Sequence, residues 1–223
     1  MTAEKYIIVV AGGRGTRMGG DVPKQFLPLA GKTVLMHTLD RMAEAEPMAQ
    51  LILALPHDQQ DEWTRLCQEY GYTRHHIVVD GGETRFHTVT NALALVPEGA
   101  LVAIHDGVRP LVSVDVVREA FNVAQCEGAA IPVMPVVESL RRVDGDTSCA
   151  VERSAYRAVQ TPQVFDSTRL KAAYSVAYRT EFTDDASVYE AAGYRVTLID
   201  GNRENIKITI PQDIALAEII LQQ

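Results

Sequence analysis

The residues most able to do chemistry follow the first apolar run of the chain. Tyr6–Ala11 leads into Gly12-Gly13-Arg14-Gly15-Thr16-Arg17-Met18-Gly19-Gly20 and then Asp21-Val22-Pro23-Lys24-Gln25-Phe26, which puts five glycines and three cations behind one buried strand. Glycine lets the main chain take positive φ and approach an anion closely, so that successive N–H groups point at phosphate oxygens. Arg17 and Lys24 add full positive charge that can follow negative charge developing in phosphoryl transfer. The bland alternative is a tight glycine turn with solvated cations. Two better-known glycine motifs do not fit. In a dinucleotide fingerprint Gly13 and Gly15 match, but the third glycine falls on Met18 and no acidic residue ends the second strand at Leu55. For a P-loop around Gly31-Lys32-Thr33, the glycine required five positions earlier is Phe26.

Further groups sit where apolar runs end. Asp106 stands just beyond Leu101–Ile104, where a carboxylate can hold a hard cation such as Mg²⁺, which takes few protein oxygens beside waters and phosphates; its alternative role is a helix cap. Gly81, Gly82 and Glu83 lie between Ile77–Val79 and a helical segment, where backbone groups are free for a ligand or simply cap the helix. Arg85 fits a brace for this turn. His105 reads as a packed strand-end histidine, since nothing here demands an imidazole. Lys207 reads as an edge guard of a short strand in Asn205-Ile206-Lys207-Ile208, Arg153 and Arg157 as a solvated face, and Asp185 as a helix cap.

Elements must position these groups. Apolar runs at Tyr6–Ala11, Leu51–Leu55, Ile77–Val79, Leu101–Ile104, Ala129–Val136 and Arg195–Ile199 lack polar alternation and suit strands buried on both faces. Between them, Val34–Ala45, Asp58–Tyr70, Thr84–Val96, Val114–Cys126, Arg169–Tyr178 and Ile214–Leu221 have helical period, with Asp58 and Ser113 as capping residues. The alternation predicts an α/β, Rossmann-like three-layer sandwich around a mainly parallel sheet, with ligands at the C-terminal strand ends. Residues 137–160 break the pattern. They are polar, turn at Asp144-Gly145, and read as a protruding β-hairpin arm that packs on a second subunit.

The 223 residues suit one domain, 1–223, better than two. A net charge of -8 argues against nucleic-acid backbone as a partner. Cys67, Cys126 and Cys149 are unpaired in pattern and suggest neither disulfides nor zinc. No apolar stretch is long enough for a membrane helix, and the N-terminal run is too short for a secretory signal, so a cytoplasmic location is expected.

Gly-Gly-x-Gly-Thr-Arg-Met followed by Pro-Lys-Gln-Phe resembles the signature of the sugar-phosphate nucleotidyltransferase superfamily. The Pro23-Lys24-Gln25 extension narrows the resemblance to the cytidylyltransferases that include the 2-C-methyl-D-erythritol 4-phosphate enzymes. Five more motifs follow in the family's order: Asp80-Gly81-Gly82-Glu83-Thr84-Arg85, His105-Asp106-Gly107-Val108-Arg109-Pro110, Gln160-Thr161-Pro162-Gln163, Thr183-Asp184-Asp185-Ala186-Ser187 and Asn205-Ile206-Lys207-Ile208-Thr209. The resemblance implies transfer of CMP from CTP to 2-C-methyl-D-erythritol 4-phosphate, releasing pyrophosphate, in the non-mevalonate isoprenoid precursor pathway. Ribitol 5-phosphate is the alternative acceptor, and a non-catalytic nucleotide sensor the more distant alternative. It further implies Mg²⁺, with Mn²⁺ as a substitute, and a homodimer formed through the arm. By the same resemblance Arg17, Lys24 and Lys207 are catalytic; Ala11, Gly12, Gly13, Gly15, Gly82, Glu83, Thr88, Asp106 and Gly107 bind nucleotide; Asp106, Arg109, Ser139, Arg153 and Thr161 bind the acceptor, partly from the neighbouring subunit. Ser139 stands where many members of the family have threonine, keeping the hydroxyl and losing a methyl contact.

Overall fold

The computed structural model describes residues 3–12 and 22–222, so Gly13, Gly15 and Arg17 lie outside the described residues. At its centre β1 (Lys5–Val10) pairs in parallel with both β4 (Gln50–Leu55) and β6 (Leu101–Asp106), and β4 pairs in parallel with β5 (Ile77–Asp80). The register sets Val10 beside Ala54 and Asp106, and Leu55 beside Asp80. Three loops therefore leave the sheet at one level. Each extends the ladder by one bond: Ala11 N–H to Ala54 O at 3.0 Å, Gly81 N–H to Leu55 O at 2.9 Å, and Gly107 N–H to Val10 O at 2.8 Å. The predicted ligand edge is built from these three.

Beyond β6 the sheet turns mixed. β7 (Ala129–Pro135) is separated from β6 by β11 (Gln163–Asp166), which is antiparallel to both, and β12 (Thr197–Asp200) pairs in parallel with β7. β10 (Arg157–Val159) also pairs antiparallel with β7, and the register slips by two residues between β10 and β11. Gln160, Thr161 and Pro162 occupy the slip, which carries Thr161 under the end of β6.

Alternation along β1 divides the core. Ile7 and Val9 pack with α1 (Val34–Ala45), α2 (Gln60–Glu69) and α4 (Val114–Glu127) on one face; Tyr6 and Ile8 pack with α3 (Arg85–Leu93), α5 (Ser167–Ala173) and α6 (Asp185–Ala191) on the other. This is the three-layer α/β sandwich expected of buried strands alternating with amphipathic helices. Against one edge of the site lies α7 (Pro211–Leu221), packed on the small hairpin of β2 (Pro28–Leu29) and β3 (Lys32–Thr33) through Leu29, Val108, Ile208 and Ala217.

Several expectations need correction. Ser113 does cap α4, accepting from Val116 N–H at 3.2 Å, but Asp58 lies in a 3-10 turn, His57–Gln59, and α2 begins after it. The helix placed at 169–178 starts earlier, because Asp166 caps it, and stops at Ala173. β5 is the sheet edge rather than a strand buried on both faces, leaving Ile77 and Val78 exposed. Residues 205–208 are not in a strand; one backbone bond, Ile208 N–H to Val108 O at 2.9 Å, ties them to the β6 loop. The arm is shorter than 137–160. Only β8 (Arg141–Asp144) and β9 (Thr147–Ala150) form a separate, fully exposed hairpin, while β10 returns to the main sheet.

Candidate active site

A cavity of about 250 Å³ opens over the three loops, lined by Ala11 and Gly12 after β1, Gly82 to Arg85 after β5, Asp106 at the end of β6 and Val108 beyond it, and by Lys24, Gln25, Thr88 and Lys207. Asp106 is its electrostatic centre. Its Oδ2 receives Arg109 Nε at 3.1 Å and Lys207 Nζ at 3.0 Å, and its Oδ1 faces Arg85 Nε at 3.7 Å. Burial works to raise the pKa of this carboxyl, but Arg85, Lys207 and Arg109 outweigh it and hold Asp106 well below the usual carboxylate range.

Each cation is anchored from behind. Arg109 Nη1 donates to Asn205 O at 2.8 Å, and the buried Asn205 Nδ2 donates to Thr161 O at 2.9 Å. With Ile208 buried on the far side, Lys207 is fixed between two anchors and its half-exposed ammonium reaches Asp106. Arg85 gives both terminal nitrogens to Asp185, at 2.8 and 2.6 Å, and Tyr174 Oη donates to the same wholly buried carboxylate at 2.6 Å. Asp185 is thus not a cap; Asp184 caps α6 in a reciprocal box with Ser187, leaving Asp185 to face inward. Arg85 ties the start of α3 to Asp185 and Asp106 and lines the cavity.

His105 is the packed histidine the sequence suggests. It is fully buried, and burial pushes its pKa down to about 4. Arg109 O can only accept, so the Nε2 at 3.0 Å carries the proton; Nδ1 then accepts from the Thr161 hydroxyl at 3.0 Å, whose oxygen takes the Asp106 N–H at 3.1 Å. Thr161 therefore holds the strand end behind Asp106, with its hydroxyl already committed. Gly107 packs where a Cβ would stand 3.0 Å from Ala11 Cβ.

On the opposite wall, Thr84 caps α3 and Thr88 reaches back to the turn, its Oγ1 accepting from Gly82 N–H at 2.9 Å and donating to Thr84 O at 2.9 Å. A Cβ on Gly82 would overlap His87 and come within 2.9 Å of Thr88 N, so only glycine permits this fold-back. The result is a tight turn that sets Gly82 and Glu83 on the cavity wall.

The structure thus gathers Ala11, Gly12, Lys24, Gly82, Glu83, Thr88, Asp106 and Lys207 around one cavity, with Arg109 joined through Asp106. It does not bring Ser139 or Arg153 of the same chain there. Both are exposed beside the arm, where Arg153 Nη1 donates to Val137 O. Gln25, a wall residue buried beside Lys24, was missed by sequence reasoning, although the Pro-Lys-Gln spacing contains it.

No group of three or more His, Cys, Asp or Glu side chains gathers as a metal cage among the described residues. Mg²⁺ does not require one, because it binds through one or two carboxylates together with waters and phosphates. Asp106 and Glu83 put two carboxylates on the wall of a cation-lined cavity, a donor set that fits a metal that arrives with a polyphosphate.

Comparison with known proteins agrees with this geometry. Residues 6–223 match the family described as 2-C-methyl-D-erythritol 4-phosphate cytidylyltransferase (IspD). The enzyme of that name from Bacteroides thetaiotaomicron is 53% identical over 218 residues, covering 98% of this chain and 100% of the relative. Its namesake from Porphyromonas gingivalis is 50% identical over 222 residues, 99% of each chain. Among solved structures, 2-C-methyl-D-erythritol 4-phosphate cytidylyltransferase from Thermus thermophilus superimposes with a TM-score of 0.77 at 31% identity over 100% of both chains. With nearly the whole chain matched and the cavity built from the motifs in the family's order, the chain belongs to the 2-C-methyl-D-erythritol 4-phosphate cytidylyltransferase family.

Proposed function

We propose that this cavity transfers CMP from CTP to 2-C-methyl-D-erythritol 4-phosphate, giving 4-diphosphocytidyl-2-C-methyl-D-erythritol and pyrophosphate, with residues 1–223 acting as one nucleotidyltransferase unit. The observation that carries the reading is the convergence of Arg85, Arg109 and Lys207 on one carboxylate, with Lys24 and the Gly82–Arg85 turn on the walls of the same cavity. Such a site suits a polyanion, and none of its lining side chains is called on as a nucleophile.

In the proposed reaction an oxygen of the acceptor's phosphate attacks the α-phosphorus of CTP in line, and pyrophosphate departs from the opposite side. A phosphate monoester is already ionised near neutral pH, so no general base is needed, consistent with a buried neutral His105 that has both ring nitrogens occupied. Catalysis then rests on orientation and charge. Lys24, together with Arg17 from the glycine loop, stabilises the charge on the α-phosphate; Lys207 and Arg109 face the acceptor's phosphate. The Gly82–Glu83 turn takes the cytosine, and Gly107 lets the ribose approach. Asp106 would hold Mg²⁺, which when bound supplies charge neutralisation along the triphosphate. Ser139 and Arg153 would complete the acceptor site of a neighbouring subunit through the arm.

The direct test is the product. Incubation with CTP, Mg²⁺ and the methylerythritol phosphate should give pyrophosphate and the cytidine diphosphate ester in equal amounts by mass spectrometry. Tight CTP binding without pyrophosphate would instead identify a nucleotide sensor.

A further inference from the structure

The side chain of Gln25 is 1% exposed, yet polar, and lies at the junction of three segments that meet beneath the cavity. Its Nε2 donates to Ala11 O at 2.9 Å, where β1 ends, and to Gln59 Oε1 at 2.7 Å, in the turn between β4 and α2. The backbone carbonyl of Ala11 cannot donate, so the orientation of the Gln25 amide is fixed, and Gln59 must present its oxygen. Gln25 itself belongs to the one-turn 3-10 helix Lys24–Phe26, closed by Phe26 N–H to Pro23 O at 2.9 Å and seated by Phe26 stacking on Trp63 at 6.1 Å.

In sequence the glycine-rich segment lies between Ala11, just after β1, and the Lys24–Phe26 turn, and the Gln25 amide ties those two flanking points together. Its own Oε1 is buried without a partner among the described residues. An apolar side chain of equal length would fill the space without that penalty, so packing alone does not account for an amide here. We infer that Gln25 is a positioning residue for the transfer: by bonding Ala11 and Gln59 it fixes the turn that aims Lys24 at the phosphates. The inference rests on the catalytic role proposed for Lys24, and Gln25, 1% exposed in the cavity wall, acts through that lysine.

A double-mutant cycle on the full-length enzyme tests this. Gln25→Met keeps the length and removes both N–H donors. If Lys24 is displaced by a fraction of an ångström, kcat falls about tenfold or more while KM for CTP moves less than about threefold. In a Lys24→Ala background the same change should cost no more than about twofold, because the residue it acts through is gone. Equal losses in both backgrounds, or normal kcat for the single variant, would overturn the inference. Should Gln25→Met fail to give folded protein by circular dichroism, Gln59→Met removes one of the two anchors and is read by the same cycle and the same criteria. Near-normal turnover by Lys24→Ala would strike the role of Lys24 itself, an outcome distinct from additivity in an impaired background.

Discussion

At the scale of single residues the site works by setting one carboxylate among cations. Three cations around Asp106 oppose the cost of its burial, and Asp185 shares one of them, Arg85. Lys24 adds a further cation to the cavity wall, at the end of the glycine-rich segment. Removing one such donor from a preorganised site costs about 3 to 4 kcal/mol in the barrier. Lys24→Ala should therefore lower kcat by about two decades or more while the chain still folds by circular dichroism; turnover within a few-fold of normal would remove Lys24 from the chemistry. His105 gives a prediction for stability. Its pKa falls from the ordinary 6.5 in the unfolded chain to about 4 in the fold, so the unfolded state takes the proton first as pH drops. The stability conferred by its neutral form is complete above pH 6.5 and is lost as pH falls toward 4, to the extent of about 3 kcal/mol. Burial lowers His37 and His76 in the same direction, so they add to the same loss. Urea unfolding at pH 7, 5.5 and 4 should show a shallower decline for His105→Gln than for the parent, and identical slopes would refute the assignment.

At the scale of elements, function depends on turns that put main chain where a side chain would not fit. Gly82 is the clearest, since any Cβ there meets His87 and Thr88 of the same fold-back. Overpacking of this kind costs about 1–3 kcal/mol. Gly82→Ala should raise KM for CTP about tenfold or more while KM for the acceptor stays put, and an unchanged CTP KM would show that this turn does not read the base. The elements were also unequally legible in the sequence. α1 has the bounds its periodicity predicts, Val34–Ala45, because Thr33 caps it and an uninterrupted apolar stripe runs through Leu35, Leu39 and Met42. β11 went unread because four residues after a proline carry no usable period, and its antiparallel direction comes from the chain slipping between β7 and β6. α6 is only seven residues long. The Arg85–Asp185 pair joins residues a hundred positions apart, and no local pattern records such a contact. What the sequence showed well was the cavity, since four of the six motifs, those that hold Gly12 to Gln25, Gly82 to Arg85, Asp106 to Val108 and Lys207, supply most of its wall. Gln25 stood in one of those motifs unnoticed, since an amide beside a conspicuous lysine carries no charge or period to mark it.

At the scale of the molecule, the sheet delivers its loops to one edge while the β8–β9 hairpin stands away from it, with Val143 exposed and every residue of both strands open to solvent. An isolated two-stranded hairpin is marginal in water, which favours the proposal that it is covered in a dimer and that Arg153 serves the neighbouring site. Subunit complementation tests that arrangement. Arg153→Ala and Lys24→Ala should each be nearly inactive alone, yet co-expressed they should regain roughly a quarter of parental activity, because random pairing gives hybrid dimers one intact site. No recovery, in a dimer verified by sedimentation, would remove Arg153 from the neighbouring subunit's site. The central claim, however, concerns the acceptor, and one comparison addresses it most directly: pyrophosphate release with CTP and Mg²⁺, with 2-C-methyl-D-erythritol 4-phosphate and ribitol 5-phosphate offered separately. Release with the methylerythritol phosphate and little or none with the ribitol phosphate is the predicted result. Release with ribitol 5-phosphate alone would contradict it.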